Sequence, residues 1–211
     1  MTQLTLFMFP GACSRVSLTA LETAGADYDA VMIDILNGAQ KRPHYLEVNP
    51  RGKVPALLVD GTLLTENAAI LTWLHGRYPD AGLLPSPSDD IARAQQLADL
   101  FWLSATWHPY VRAIRAPMRW TTGDVAPVQE RGRELLASCM TLLNERLAKQ
   151  EWWYDNWSIL DIYFFWCYTT AEGGGFSLDP YPHAARHRRA IETLPSLRRA
   201  LEREAGAPEP A

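Results

Sequence analysis

The sequence predicts an α/β domain at the N-terminus followed by an all-α domain. Two observations lead to this prediction. Up to about residue 78, short alternating apolar runs are interleaved with stretches of helical spacing, whereas beyond residue 88 the regular apolar spacing is helical. The stretch 79–88 contains three prolines and shows no periodicity. We therefore expect a first domain at 1–79, a linker at 80–88 and an all-helical domain at 89–211.

The N-terminal segment predicts a βαβ unit. Leu4–Phe9 is an apolar run typical of a strand, and Pro10–Ala12 breaks it. From Ser14 the apolar spacing is helical, and Gly25 supplies a stop signal. Tyr28–Ile35 alternates in the manner of a second strand. A helix that connects two strands favours their parallel pairing.

A hairpin and a helix follow a polar stretch at 37–50. Ala56–Val59 and Thr62–Thr65 flank an Asp-Gly pair, which is a strong hairpin signal. The helical spacing that comes next ends near Tyr78, so the order of the domain is βαβ-ββα. Pro55 stands at the head of the hairpin, where a residue without an N–H is tolerated and where a cis peptide bond can be used.

The second half of the chain predicts helices. Apolar residues have helical spacing at 91–105 and at 135–147, and Pro109 and Pro117 predict a kink or break in the first of these helices. The segment 158–171 is apolar but too short to span a membrane, so it predicts a buried core helix. Ser158 and Asp161 are spaced as a capping box at its start.

Composition excludes several classes of function. The net charge is -4 over 211 residues, which gives no electrostatic footprint for nucleic acid. The N-terminus lacks the basic region of a secretory signal, so we expect no export and no membrane association. Cys13, Cys139 and Cys167 form neither an even disulfide set nor a metal-binding pair. We therefore expect a cytoplasmic protein without a metal.

The start of the helix after Thr65 could hold a charged ligand. Its first N–H groups lack helical partners and lie at the positive end of the helix dipole. Glu66 could accept from an ammonium group and Asn67 could donate to a carboxylate. The alternative is that Thr65 or Asn67 merely caps the helix. The backbone of Val54, before Pro55, could pair with an extended ligand.

Three motifs together carry a resemblance to a known family. They are NPRGKVP at Asn49–Pro55, TENAAI at Thr65–Ile70, and the S-x-x-D capping box at Ser158–Asp161. Together with the βαβ-ββα order, they resemble the glutathione transferase family, over nearly the whole chain. The resemblance implies a thioredoxin-like N-terminal domain, an all-helical C-terminal domain and glutathione as co-substrate.

The same resemblance implies roles for individual residues. Val54, before a cis Pro55, would pair with the cysteinyl part of glutathione. Glu66 and Asn67 would hold the γ-glutamyl part; Asn67 replaces the usual serine, which predicts retained but altered affinity. Lys53 would meet the glycyl carboxylate. Two further basic residues are alternatives for this last contact: Lys41 and His44.

The position that activates the thiol lies at the start of the first helix. Only a thiolate attacks, and an unassisted thiol with a pKa of about 8.5 is mostly protonated near neutral pH. The run PGACS resembles the beta class, in which Cys13 would face the sulfur, while CSRV resembles the zeta and theta type, in which Ser14 would donate to the thiolate. His108 resembles the histidine of the beta-class helical domain that reaches the glutathione site.

The resemblance implies an enzyme that activates glutathione for attack on a small hydrophobic electrophile or for thiol-disulfide exchange, acting as a homodimer. The electrophile would meet an apolar wall formed by Phe9, Trp107, Tyr110, Ile114 and Met118. The alternative function is a non-catalytic adaptor or protein-binding module, since a fold does not fix a function. Val54–Pro55, Glu66 and the Cys13–Ser14 pair favour the enzyme. The substituted Asn67 and the spacing around His108 favour the adaptor, but less strongly.

Overall fold

The computed structural model describes residues 2–208, and the elements follow the predicted order of an α/β region and then helices. Two compact units are present: residues up to Leu83 together with those from Leu194 onward form the first, and Leu84–Thr193 forms the second. The strands are β1 (Leu4–Met8), β2 (Asp29–Met32), β3 (Ala56–Val59) and β4 (Thr62–Thr65). The helices are α1 (Ser14–Ala24), α2 (Pro43–Val48), α3 (Asn67–Arg77), α4 (Asp90–Trp102), α5 (His108–Arg115), α6 (Ala126–Leu147), α7 (Ile159–Glu172), α8 (Pro182–Glu192) and α9 (Pro195–Gly206).

The first unit contains one mixed sheet in the order β2-β1-β3-β4. β1 pairs with β2 in parallel, as the βαβ unit predicts, and with β3 in antiparallel. β3 and β4 form the predicted hairpin around Asp60 and Gly61. β1 is one of the two inner strands, and its carboxyl end leads into the loop that precedes α1.

Both faces of β1 are covered. Leu4, Leu6 and Met8 are fully buried on one face because successive side chains in a strand point to opposite sides. On the other face the ring of Phe7 lies 5.6 Å from that of Tyr45 on α2. This contact fixes the segment before β3 against the centre of the sheet.

The C-terminal helix belongs to the first unit. α9 packs against α1, and beyond it the Met32 N–H on the edge strand β2 donates to the Pro208 carbonyl at 2.8 Å. The predicted helical domain at 89–211 includes α9, whereas the contacts of this helix are with α1 and β2. The last described residues thus cover an edge of the sheet, which would otherwise offer unpaired backbone groups.

The second unit is built around α7, the predicted core helix. All of its residues from Ile159 to Tyr168 are buried, as expected for a helix that is apolar nearly all round. The predicted capping box is present at Ser158 and Asp161. Asp161 is fully buried and accepts from the Ser158 N–H at 2.9 Å and the Trp153 N–H at 2.8 Å, and its Oδ1 lies 2.9 Å from His187 Nε2.

Local differences from the sequence prediction have physical reasons. The predicted strand Tyr28–Ile35 forms only at Asp29–Met32, because Asp34 accepts from the N–H groups of Leu36 and Asn37 and turns the chain. The short helix α2 was not predicted. A π-helical stretch, Leu103–Trp107, lies before Pro109 and α5 ends before Pro117, so the predicted kink or break is confirmed. No helix among residues 2–208 is long and apolar enough to cross a membrane.

Candidate functional site

The loop between β1 and α1 is closed on itself by backbone and side-chain hydrogen bonds. Gly11 has a φ of 74°, a left-handed conformation that favours glycine, and the Ala12 N–H donates to the Phe9 carbonyl at 3.0 Å. Ser14 Oγ accepts from the Phe9 N–H at 3.1 Å and donates to the Phe9 carbonyl at 3.2 Å. The loop therefore delivers Cys13 to the first position before α1 in a fixed conformation.

Ser14 is occupied by this loop. Its side chain is fully buried, and the hydroxyl hydrogen is directed at the Phe9 carbonyl. The sequence predicts that Ser14 donates to a thiolate, but in the structure its hydroxyl already donates to a carbonyl of the same loop. In the structure Ser14 closes the loop and does not cap α1, because Cys13 occupies the N-cap position of that helix.

Cys13 lies beside Val54, although 41 residues separate them in sequence. The Cys13 thiol donates to the Val54 carbonyl with a sulfur–oxygen distance of 3.6 Å, and the cysteine side chain is buried. The Val54–Pro55 peptide bond is cis. Within the described part of the chain the Val54 N–H has no hydrogen-bond partner. The predicted pairing group and the predicted sulfur-facing group are thus neighbours.

The segment before Val54 is held from α2. The Lys53 carbonyl accepts from the Tyr45 hydroxyl at 2.7 Å and from the Asn49 amide at 2.8 Å. Burial raises the pKa of Tyr45 to about 12, so the hydroxyl keeps the proton that it donates. Gly52 has a φ of 57°, and a Cβ there would lie 2.7 Å from the Gln40 carbonyl. This close approach explains the glycine in the NPRGKVP motif.

Three basic side chains lie on or near this segment. Lys53 is exposed, and so are the two alternatives for the same contact, Lys41 and His44. Lys41 Nζ lies 3.0 Å from the position that a Cβ on Gly52 would take. The structure therefore places Lys41 beside the loop that carries Lys53.

Glu66 precedes α3 in an unusual backbone conformation. Its φ is 70° and its ψ is 126°, a region that residues with a side chain rarely adopt. The side chain is 64% exposed and its carboxylate lies 3.1 Å from Arg51 Nη1, which also donates to Thr65 Oγ1. The carboxylate is thus presented to solvent with one cation already beside it.

Asn67 faces the protein interior. Its amide Nδ2 donates to the Cys13 carbonyl at 2.9 Å, and its Oδ1 accepts from the Ser17 hydroxyl at 2.6 Å. The residue is 5% exposed. The predicted donation from this side chain to a ligand carboxylate is therefore replaced in the structure by a bridge between α1 and α3. Neither Asn67 nor Glu66 makes a side-chain cap on α3.

His108 lies in the second unit, at the start of α5. Arg112 Nε donates to His108 Nε2 at 3.0 Å, so that nitrogen is engaged as an acceptor within α5. Nδ1 lies 3.2 Å from the Tyr163 hydroxyl, and the ring packs against Trp166. Trp107 and Ile114, expected in the electrophile wall, are fully buried.

Several polar residues around the loop could not be predicted from sequence patterns. Ser17 and Glu204 are buried polar residues whose partners are far away in sequence. Arg51 lies inside the NPRGKVP motif, so its proximity to the site could have been predicted, but its pairing with Glu66 could not. Among residues 2–208 no group of three His, Cys, Asp or Glu side chains could hold a metal ion.

Comparisons of the sequence with known proteins point to one family. Residues 2–76 match the family profile described as "Glutathione S-transferase, N-terminal domain". Over the whole chain, the glutathione S-transferase GstA of Escherichia coli O157:H7 is 31% identical across 202 residues, which cover 94% of this chain and 98% of that protein. The maleylacetoacetate isomerase of Pseudomonas aeruginosa is 29% identical across 186 residues, covering 86% of this chain and 87% of the relative.

Solved structures are similar over the same extent. A bacterial beta-class glutathione S-transferase from Sphingomonas chungbukensis is 31% identical, with a TM-score of 0.83, covering 95% of this chain and 98% of that one. A sphingomonad glutathione S-transferase complexed with glutathione is also 31% identical, with a TM-score of 0.84 and coverage of 96% and 100%. The N-terminal α/β unit is thioredoxin-like, as predicted. From its sequence and its fold, the chain belongs to the glutathione S-transferase family.

Proposed function

We propose that this protein is a glutathione transferase that activates the thiol of glutathione for attack on a small hydrophobic electrophile or for thiol-disulfide exchange. One observation carries the proposal. Cys13 at the start of α1, Val54 before Pro55 and the start of α3 meet in the first unit, joined by the Cys13–Val54 and Asn67–Cys13 hydrogen bonds. The relatives that are named as glutathione transferases, one of them solved with glutathione, support it.

The residues present offer a complementary group for each part of glutathione. The unpaired Val54 N–H would pair with the backbone of the cysteinyl part, as an added strand does. The exposed Glu66 carboxylate would accept from the ammonium group, which would share it with Arg51. Lys53, or in its place Lys41 or His44, would meet the glycyl carboxylate.

The γ-glutamyl carboxylate requires a donor at the start of α3. The first N–H groups of the helix have no helical partners and lie at the positive end of its dipole. Since the Asn67 amide is bonded to Cys13, we assign this contact to the backbone N–H groups at Asn67 and Ala68 rather than to the Asn67 side chain. Binding would therefore survive the replacement of the usual serine.

We propose Cys13, not Ser14, as the group that faces the glutathione sulfur. The Ser14 hydroxyl is buried and directed at Phe9, whereas the Cys13 thiol points at the predicted pairing residue Val54. In exchange, the Cys13 thiolate would attack a glutathione disulfide, forming a new sulfur–sulfur bond and releasing the other thiolate. His108 remains a proposal from the resemblance, and both of its ring nitrogens already have partners.

The similarity to a maleylacetoacetate isomerase is compatible with isomerisation as well as conjugation, exchange or dehalogenation. The names of the relatives favour an enzyme over the adaptor alternative.

We further propose a homodimer in the cytoplasm. Ile91 and Phe101 support an interface, since both are large apolar residues exposed on α4.

The test is a calorimetric titration of the protein with reduced glutathione near pH 7. We expect binding in the micromolar to millimolar range, worth about 4 to 8 kcal/mol. Glu66→Ala should weaken binding, because it removes the acceptor for the ammonium group, whereas Glu47→Ala, an exposed glutamate on α2, should not. If the folded protein gives no heat with glutathione, the proposal fails. If it binds, turnover with an aryl halide and with a glutathione mixed disulfide separates the two chemistries.

A further inference from the structure

Glu204 is a buried carboxylate in a charged helix. α9 is rich in Arg and Glu, yet Glu204 is only 4% exposed. It falls at helical spacing after Leu197 and Ala200, the other buried positions of this helix, where an apolar side chain is expected. A carboxylate removed from water is costly unless it is paired and hydrogen-bonded. Its presence on this face therefore requires specific partners.

The partners of Glu204 are Arg15 and Gly11. Arg15 approaches with Nη2 at 2.7 Å from Oε2 and with Nε at 3.1 Å from Oε1 and 3.2 Å from Oε2, the two-pronged geometry of a strong pair. The Gly11 N–H donates to Oε2 at 3.3 Å. The Arg15 side chain is 20% exposed, so the pair is largely shielded from water.

These two partners flank the candidate thiol position. Gly11 lies two residues before Cys13 and Arg15 two residues after it, so one carboxylate ties down the chain on both sides of Cys13. Two neighbouring hydrogen bonds also hold this loop: the Ser14 hydroxyl donates to the Phe9 carbonyl within it, and the Asn67 amide donates to the Cys13 carbonyl from α3. Glu204 adds hydrogen bonds from α9, and it lies 189 residues after its partner Arg15.

We infer that Glu204 is a positioning residue that sets the geometry of the Cys13 loop from the C-terminal helix. It acts through Gly11 and Arg15 and does not itself contact glutathione. The inference rests on the proposed function insofar as the Cys13 loop is the glutathione thiol site. Loss of the carboxylate would release the loop, uncover Cys13 and weaken the placement of the ligand sulfur.

The experiment compares Glu204→Gln with Glu202→Gln, an exposed glutamate on the same helix. Alkylation of the free cysteines by iodoacetamide is followed by mass spectrometry, which reports Cys13, Cys139 and Cys167 separately. Cys139 and Cys167 are buried in the second unit and serve as internal standards, and burial raises the pKa of Cys139 to about 11. Glutathione affinity is measured on the same samples.

We expect Glu204→Gln to speed alkylation of Cys13 by about tenfold and to weaken glutathione binding by about the same factor, equivalent to about 1.4 kcal/mol. Cys139 and Cys167 should react at wild-type rates, and Glu202→Gln should change nothing. Should Glu204→Gln not fold, Arg15→Lys, which keeps the charge but loses the fork, should speed alkylation of Cys13 by about threefold.

Two results would overturn the inference. One is an unchanged Cys13 rate in both Glu204→Gln and Arg15→Lys. The other is an equal acceleration at all three cysteines, which would mean that the pair only stabilises the whole fold. A wild-type protein that fails to bind glutathione would instead overturn the proposed function, because the alkylation contrast does not depend on glutathione.

Discussion

Replacement of Asn67 by alanine separates the two roles available to this residue. If the side chain bridges α1 and α3, the change removes the hydrogen bonds to the Cys13 carbonyl and from the Ser17 hydroxyl. If the side chain instead holds the ligand, the change removes a contact that exists only in the complex. The first role predicts lost stability and the second predicts lost affinity.

The expected loss of stability follows from the two buried hydrogen bonds. Each contributes about 0.5 to 1.5 kcal/mol, so Asn67→Ala would cost about 1 to 3 kcal/mol if nothing compensated. Ser17 lies one turn after Cys13, and its hydroxyl can rotate to donate to the Cys13 carbonyl, recovering part of the loss. We therefore expect about 1 to 2 kcal/mol in the free energy of unfolding.

Urea unfolding and glutathione titration of the same preparation provide the measurement. Asn156→Ala, at an exposed asparagine, is the control and should leave both quantities unchanged. For Asn67→Ala we expect glutathione affinity within about tenfold of wild type, a change of at most about 1.4 kcal/mol. An unchanged unfolding free energy with affinity lowered by about 100-fold or more would refute the bridging role and restore Asn67 as a ligand contact.

Three further predictions concern other parts of the chain. Asp161→Ala should lower the free energy of unfolding by about 3 to 5 kcal/mol, because it leaves several buried groups without their hydrogen-bond partner. Asp155→Ala, at an exposed site, should have little effect in the same urea titration. Cys13→Ala should abolish reduction of a glutathione mixed disulfide, and Ser14→Ala should lower stability by about 1 kcal/mol but retain that activity; the opposite pattern in turnover assays would reverse the assignment. Because burial raises the pKa of Tyr45 from 10.0 to about 12, its contribution to stability is complete below pH 10 and is lost as the pH rises toward 12. Tyr45→Phe should flatten that decline in alkaline unfolding curves, and a decline of the same size would contradict the role given to the phenol.

Elements with local signals were predicted closely. The hairpin Ala56–Val59 and Thr62–Thr65 has the predicted bounds because its turn and both strands lie within ten residues. The helix that begins at Ser14 ends where Gly25 supplies a left-handed cap. The helix Pro43–Val48 escaped prediction because six residues are too few for a helical period to show, and its one buried residue, Tyr45, meets a distant strand.

The same contrast between local and long-range signals applies to the candidate site. Cys13, Val54 and Glu66 each lie within a short motif, and the structure brings Cys13 beside Val54, whereas the roles of all three toward glutathione stay predictions. The direction of the Asn67 side chain could not be predicted, because it depends on the approach of α1 to α3. Glu204 could not be predicted either, since nothing in a charged helix marks one glutamate as the partner of an arginine 189 residues earlier.

The place of α9 in the first unit has a consequence for protein synthesis. Residues up to Leu83 leave the ribosome first, but their unit also needs α9 and the Pro208 carbonyl that meets β2. The second unit is continuous in sequence and is complete once Thr193 has been made. Domains generally fold as units, in the order in which they are synthesised. In this chain every residue of the helical unit is synthesised before α9, which completes the unit that contains the sheet.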